Sequence, residues 1–177
     1  MKKALTILTA VLFPAAIALI LTASCGEPER RAGSPAIEDL EDMGESPWVL
    51  DIEEATVDND YYRIARWTGE YMQMVLMSLR PGEIIDLEVH EDHDQFIRIE
   101  QGEARVLMGE SEDNLYFDET VSDDWAIFIP AGYWHQVINT GNNDLKLYTI
   151  YAPSEHPAGI IHETYEEAEE YSHEHEH

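Results

Sequence analysis

The 177-residue chain carries 37 acids against 10 lysines and arginines, a formal charge of −27. So strong an acidic excess excludes nucleic-acid binding, because little that is basic can neutralise phosphates, and it accounts for a well-hydrated surface. A single cysteine excludes an internal disulfide framework and a zinc–thiolate cluster, and the length suits one domain with extra segments at its ends.

The chain begins MKK, then an apolar run ending in small residues, then Cys25-Gly26. This resembles a lipoprotein-type signal over residues 1–24, with Thr22 where a leucine is usual. The resemblance implies a lipid on Cys25 and a folded part at the cell envelope, on the periplasmic or extracytoplasmic face. An uncleaved transmembrane anchor is the competing reading, since the run is near spanning length. Residues 25–47 are polar and poor in large apolar side chains, the composition of a tether.

From Trp48 short β-rich runs follow one another, separated by turn signals. Nine strands are expected, over 61–68, 71–80, 84–90, 95–102, 104–109, 115–117, 124–130, 134–141 and 145–153, with no long helical pattern among them. Such spacing predicts an all-β antiparallel sandwich or barrel over 48–160. Residues 161–177 form an acidic tail. In it ETYEEAEEY (163–171) is the helix candidate, and His173, His175 and His177 alternate with acids in a solvated end.

Period-two alternation sorts the side chains. Gln95, Ile97 and Ile99 share one face and Phe96 and Arg98 the other, with the arginine outside. Leu147, Thr149 and Tyr151 share a face opposite Lys146, Tyr148 and Ile150. A lysine belongs outside, so Tyr151 is an inner-wall hydroxyl. Met72, Met74 and Leu76 are expected in the core. Trp125, Tyr133 and Trp134 are expected as core or rim.

Two segments carry chemistry. PAGYWHQVIN (130–139) is a Pro-x-Gly turn that delivers His135 to the start of a strand. PGEIIDLEVHEDHDQFIRIEQG (81–102) holds Glu88 and His90 two residues apart, hence on one face of a strand about 7 Å apart along the backbone. His93 is three residues from His90 and falls in the EDHD connection, where an exposed turn residue is expected.

Together these segments resemble the paired motifs of the cupin superfamily over about residues 70–153. In that family the first motif usually reads Gly, five residues, His-x-His, three or four residues, Glu, six residues, Gly. Counted from Gly82 and back from Gly102, the family's two histidines fall on Glu88 and His90, and its glutamate on Gln95. The resemblance implies a single jelly-roll β-barrel with a short C-terminal helix. It also implies a divalent metal (iron, manganese or zinc) held by Glu88, His90, Gln95 and His135, and a homodimer. Gln95 is either a ligand through its amide oxygen or a partner of metal-bound water. A metal-free barrel with Glu88 and His90 merely hydrogen-bonded is the competing reading.

The nearest likeness is to single-domain cupins of the type-2, mannose-6-phosphate isomerase-like kind, but so few bases argue against a sugar-phosphate site. The expected function is therefore a cell-envelope protein that binds a metal and a small-molecule ligand, with the membrane reached only through its lipid anchor. An iron- or manganese-dependent dioxygenase on a small organic substrate is the alternative. For that reading Tyr151, His156 or His162 would supply the acid or base.

Overall fold

The computed structural model describes residues 40–175. The expected signal segment, Cys25, the tether before residue 40 and the last two residues lie outside the described residues. After a short helix α1 (Ile52–Val57) come ten strands: β1 (Arg63–Thr68), β2 (Gln73–Leu79), β3 (Ile84–Glu88), β4 (Asp94–Gln101), β5 (Glu103–Gly109), β6 (Phe117–Ser122), β7 (Ala126–Ile129), β8 (Trp134–Asn139), β9 (Leu145–Ala152) and β10 (Ile161–His162). Helix α2 (Tyr165–His175) follows. Among the described residues no helix is long and apolar enough to cross a membrane.

The strands form two antiparallel sheets, in the orders β10-β1-β2-β9-β4-β7 and β3-β8-β5-β6. Their inner faces enclose the main core, built from side chains two apart on each strand: Val75, Met77 and Leu79 on β2, Ile97 and Ile99 on β4, Val106 on β5, Val137 on β8, Leu147 and Tyr151 on β9. The expected jelly-roll barrel is the observed architecture. β6 lies later than the expected 115–117, and β10 adds a two-residue strand that pairs with β1.

A second apolar layer covers the outer face of the larger sheet. Trp48, Leu50, Ile52 and Ala55 pack there on Ile64, Met74, Leu76, Tyr148 and Ile150. Asp51 caps α1, its carboxylate accepting from Glu54 N at 3.3 Å. Met74 and Leu76 are thus buried, but outside the barrel, while Met72 is 42% exposed and not core. Lys146 lies on the outer face as its charge demands, yet this layer buries it. Its Nζ donates to Asn59 O and pairs with Asp60 Oδ1 at 3.1 Å.

Residues just inside the expected tether are held to the barrel. Asp42 accepts from Thr68 N and Gly159 N at 2.9 and 2.8 Å, and Trp67 Nε1 donates to Ser46 O. Helix α2 closes one seam. Tyr165 packs edge-on against Tyr62, Ala168 is buried, and Tyr171 meets the His162 ring. The helix runs past the expected 171 to His175, and Ser172 Oγ donates to Ala168 O.

Candidate metal centre

The Pro130-Ala131-Gly132 turn joins β7 to β8 and pins the two motifs together. Gly132, at φ +79, supplies the left-handed residue that bend requires, and its N–H donates to His90 O at 2.8 Å. Ala131 N donates to Asp94 Oδ1 at 3.0 Å. On the far side of the turn β8 pairs with β3 so that His135 stands opposite Glu88, after a register shift between Ile85 and Glu88. The chain therefore sets Glu88, His90 and His135 on adjoining backbone from two different segments.

Their donor atoms converge. Glu88 Oε1 lies 3.4 Å from His90 Nε2 and 3.3 Å from His135 Nε2. All three atoms are buried without a hydrogen-bond partner. His135 is fully buried, and its Nδ1 lies 3.0 Å from the Tyr133 carbonyl. A carbonyl only accepts, so Nδ1 donates to it and Nε2 is the ring atom left facing the lumen. That Nε2 faces a carboxylate oxygen. Such a pair holds either a shared proton or a cation between its atoms. Two ligands each about 2.1 Å from one cation stand about 3.0–3.4 Å apart, which matches both separations. Glu88, His90 and His135 are thus a group that could hold a metal ion.

Gln95 points into the same lumen from β4, 2% exposed, beside Tyr151 in the sheet. Its Nε2 donates to Thr149 Oγ1 at 3.1 Å, which leaves the amide oxygen buried and unpartnered. An amide fixed by its nitrogen offers its oxygen, as a ligand or a partner of bound water requires.

His93 is not the exposed turn residue expected of it. It is 6% exposed and stacks on His90 at 4.4 Å between ring centroids. β3 ends at Glu88 and the chain bends at residues 91 and 92, so face-counting from His90 fails there. His93 Nδ1 pairs with Asp92 at 3.0 Å, and its Nε2 lies 3.2 Å from Glu155 Oε2. The same Glu155 oxygen lies 3.6 Å from His90 Nδ1. Glu155, on the loop after β9, was missed by sequence reasoning, since nothing in SEHP marks an inward acid. Carboxylates and imidazoles therefore alternate from His135 through Glu88, His90, Glu155 and His93 to the exposed Asp92.

The electrostatics follow from this packing. Burial alone would raise the Glu88 carboxyl, but His135 and His90 outweigh it and hold the group well below the usual carboxylate range. Burial pulls the His90 ring down, and Glu88 followed by Glu155 and Asp92 outweighs it, so its pKa rises. Tyr151 is fully inside, as expected, and burial pushes its phenol up, so it stays protonated. Tyr151 meets the rings of His90, His93 and His156 at 5.6, 5.9 and 5.2 Å. His156 folds over this wall, with burial first and the charge of Arg63 second driving its pKa down to about 3. Among the expected aromatics, Trp125 is 51% exposed at the barrel's edge, while Tyr133 packs against the core.

A cupin-domain family model matches residues 75–151, the span that carries both motifs. The uncharacterized protein YrkC of Bacillus subtilis is 56% identical over 125 residues, which is 71% of this chain and 67% of that one. The uncharacterized protein L612 of Acanthamoeba polyphaga mimivirus is 48% identical over 115 residues, 64% of this chain and 70% of that one. The crystal structure of BH2720 from Bacillus halodurans superposes with a TM-score of 0.73 at 52% identity, covering 73% of this chain and 98% of that one. With that fold, that match and these relatives, the chain belongs to the cupin family.

Proposed function

We propose that this protein binds a divalent cation in its barrel through Glu88, His90 and His135, with Gln95 as a further oxygen donor, and presents it to a small-molecule ligand. The observation that carries the reading is the convergence of His135 Nε2 and His90 Nε2 on Glu88 Oε1 at 3.3 and 3.4 Å, all three buried without a hydrogen-bond partner. Cupins commonly bind a divalent metal. Two imidazoles, a carboxylate and an amide oxygen suit iron(II), manganese or zinc. Such an ion would act as a Lewis acid on an oxygen-bearing ligand. The chain's own contribution is orientation. The Tyr133 carbonyl fixes the His135 tautomer, Glu155 stands behind His90, and Thr149 fixes the Gln95 amide. Metal content of the purified protein decides the matter: wild type should hold one ion at this centre, and Glu88→Ala and His135→Ala should lose it. An unchanged content in both variants would sink the reading.

His156 supports a second reading, a metal-dependent dioxygenase. Its imidazole stands on the wall beside Tyr151, which itself meets His90, so it is placed to hydrogen-bond a bound substrate; held at about 3, it serves as a neutral hydrogen-bonding partner more than as a base. Oxygen uptake by the iron-loaded protein with catechol- or flavonol-type compounds tests it, and binding without uptake leaves only the binding function. We further propose lipid attachment at Cys25, with the cell-envelope location it entails, and self-association through the β7 edge, where Phe128 is 71% exposed. Lipid labelling lost in Cys25→Ser, and sedimentation of Phe128→Glu as a monomer beside a dimeric wild type, check these two points.

A further inference from the structure

Eight buried side-chain nitrogens and oxygens lack a hydrogen-bond partner among the described residues. Five belong to the metal centre and its neighbour His93: Glu88 Oε1, His90 Nε2, His93 Nε2, Gln95 Oε1 and His135 Nε2. The other three are Arg63 Nε, His156 Nε2 and His162 Nδ1. Arg63 and His162 stand opposite each other on neighbouring strands, and both lie near enough to His156 for their charges to act on it. Arg63 on β1 stands opposite His162 on β10 and opposite the core residue Met77 on β2, so it shares the lumen face. His156 lies against Tyr151, which itself meets His90.

Among the described residues Arg63 differs from the paired cations. Arg98 pairs with Glu100 and Asp124, Arg105 with Asp118, and Lys146 with Asp60. Arg63 is 8% exposed and has no carboxylate within ion-pair distance among the described residues, only the face of Tyr62 at 5.7 Å. In a chain with 37 acids, a buried guanidinium left without one is a poor structural choice. The imidazoles beside it do not supply the missing charge. Burial and then the charge of Arg63 push both His156 and His162 below their ordinary range, so both stay neutral.

We propose that Arg63, with His156 and His162, forms a subsite for the carboxylate of a small organic acid whose other end reaches the metal centre. A guanidinium binds a carboxylate through two parallel hydrogen bonds, and neutral imidazoles add uncharged donors. One unpaired cation matches one negative charge. A phosphate dianion would bring a second charge toward Glu88 and Glu155, which disfavours it. The metal reading is needed only for the ligand's far end.

The test uses the full-length chain carrying His173→Ala, His175→Ala and His177→Ala, so that the tail takes no metal, loaded with cobalt(II). Acetate, malonate and succinate are titrated by calorimetry beside succinamide and inorganic phosphate. At least one acid should bind, and Arg63→Gln should weaken it on the order of ten- to a hundred-fold, the loss of a charge-assisted pair. Arg63→Lys should recover part of the affinity, with cobalt content unchanged throughout. Should Arg63→Gln not fold, His156→Phe serves, because Gln73 holds the His156 backbone through both its N–H and its carbonyl. That variant should bind several-fold more weakly. No binding of any acid, equal affinity in the variants, or phosphate binding tighter than every acid overturns the subsite. If the protein takes no cobalt yet acid binding still falls in Arg63→Gln, the metal reading fails and the subsite stands.

Discussion

Lys146 and Glu88 are both charged groups drawn away from water, on opposite faces of the barrel wall, and they are treated differently. Under the outer layer the charge of Lys146 finds partners in the chain itself, the Asn59 carbonyl and the Asp60 carboxylate. In the lumen Glu88 Oε1 faces two imidazole nitrogens at 3.3 and 3.4 Å and is bonded to neither. The protein plainly can satisfy a buried charge from its own chain, so the lumen's unmet atoms are a property of that region alone. Satisfied burial fixes a layer in place, and unsatisfied burial reserves atoms for something the chain does not contain.

The largest effect should come from supplying the proposed cation. A ligand that binds only the folded state at a thousand times its Kd stabilises by about 4 kcal/mol. Zinc or manganese should therefore raise the denaturation midpoint of wild type, and Glu88→Gln should abolish the increment. Midpoints with and without metal check this, and an equal increment in the variant would erase the contrast between the two faces.

Next in size is Lys146→Met. It leaves the Asn59 carbonyl buried and unpartnered, which costs about 1–3 kcal/mol. Chemical denaturation should show that loss equally with and without metal, and metal content should not change. Metal dependence of the loss would mean that the outer layer is coupled to the lumen.

Which of these features could be seen in the sequence depends on what local spacing encodes. The barrel was legible because strands are short and turns are marked by residues such as Gly82, Gly102 and Gly132, all at positive φ. The lumen set Glu88, His90, Gln95 and His135 was legible because two motifs, counted from glycines at both ends, fix their positions. His93 was not, because parity holds only while a strand continues, and β3 ends at Glu88 before the chain bends at residues 91 and 92. Met74 and Leu76 are buried as expected, but in a second core cluster on the outer face. Alternation says which side chains share a face, but not that residues 48–55 cover the other one. Helix α1, six residues behind an Asp51 cap, is too short to show a helical period. Arg63 and Glu155 reach the lumen region only through tertiary placement, one opposite Met77 and one from a loop.

The third effect is a pH slope. The folded protein holds His156 at about 3, whereas an unfolded histidine titrates near about 6.5. Between these values only the unfolded chain takes the proton, so stability falls with acid and is complete above about 6.5. Between pH 5 and 6.5 the difference between wild type and a variant lacking the ring isolates this group. Glu88, whose pKa is lowered, loses its contribution only below that range, and His90, whose pKa is raised, loses its contribution above it. His162, also lowered, acts in the same direction in wild type and variant alike. His156→Phe should flatten the wild-type slope by up to about 1.4 kcal/mol per pH unit. Parallel curves would mean that the ring is not held neutral.

The smallest effect, and the sharpest for the lumen itself, is His93→Ala. His93 touches the centre only through others, stacking on His90 and approaching the Glu155 oxygen that also faces His90 Nδ1. Its removal leaves all four proposed donors in place and Glu155 free to turn fully toward His90. Metal should therefore remain bound, weakened by less than about tenfold, at the mild end of what outlying partners of ligands contribute. Glu155→Gln should cost more, because it removes the carboxylate behind His90 itself. Competition with a chromogenic chelator measures both. The reverse order, with His93→Ala as damaging as His135→Ala, would move the cation from the Glu88 side of His90 to the Glu155 side.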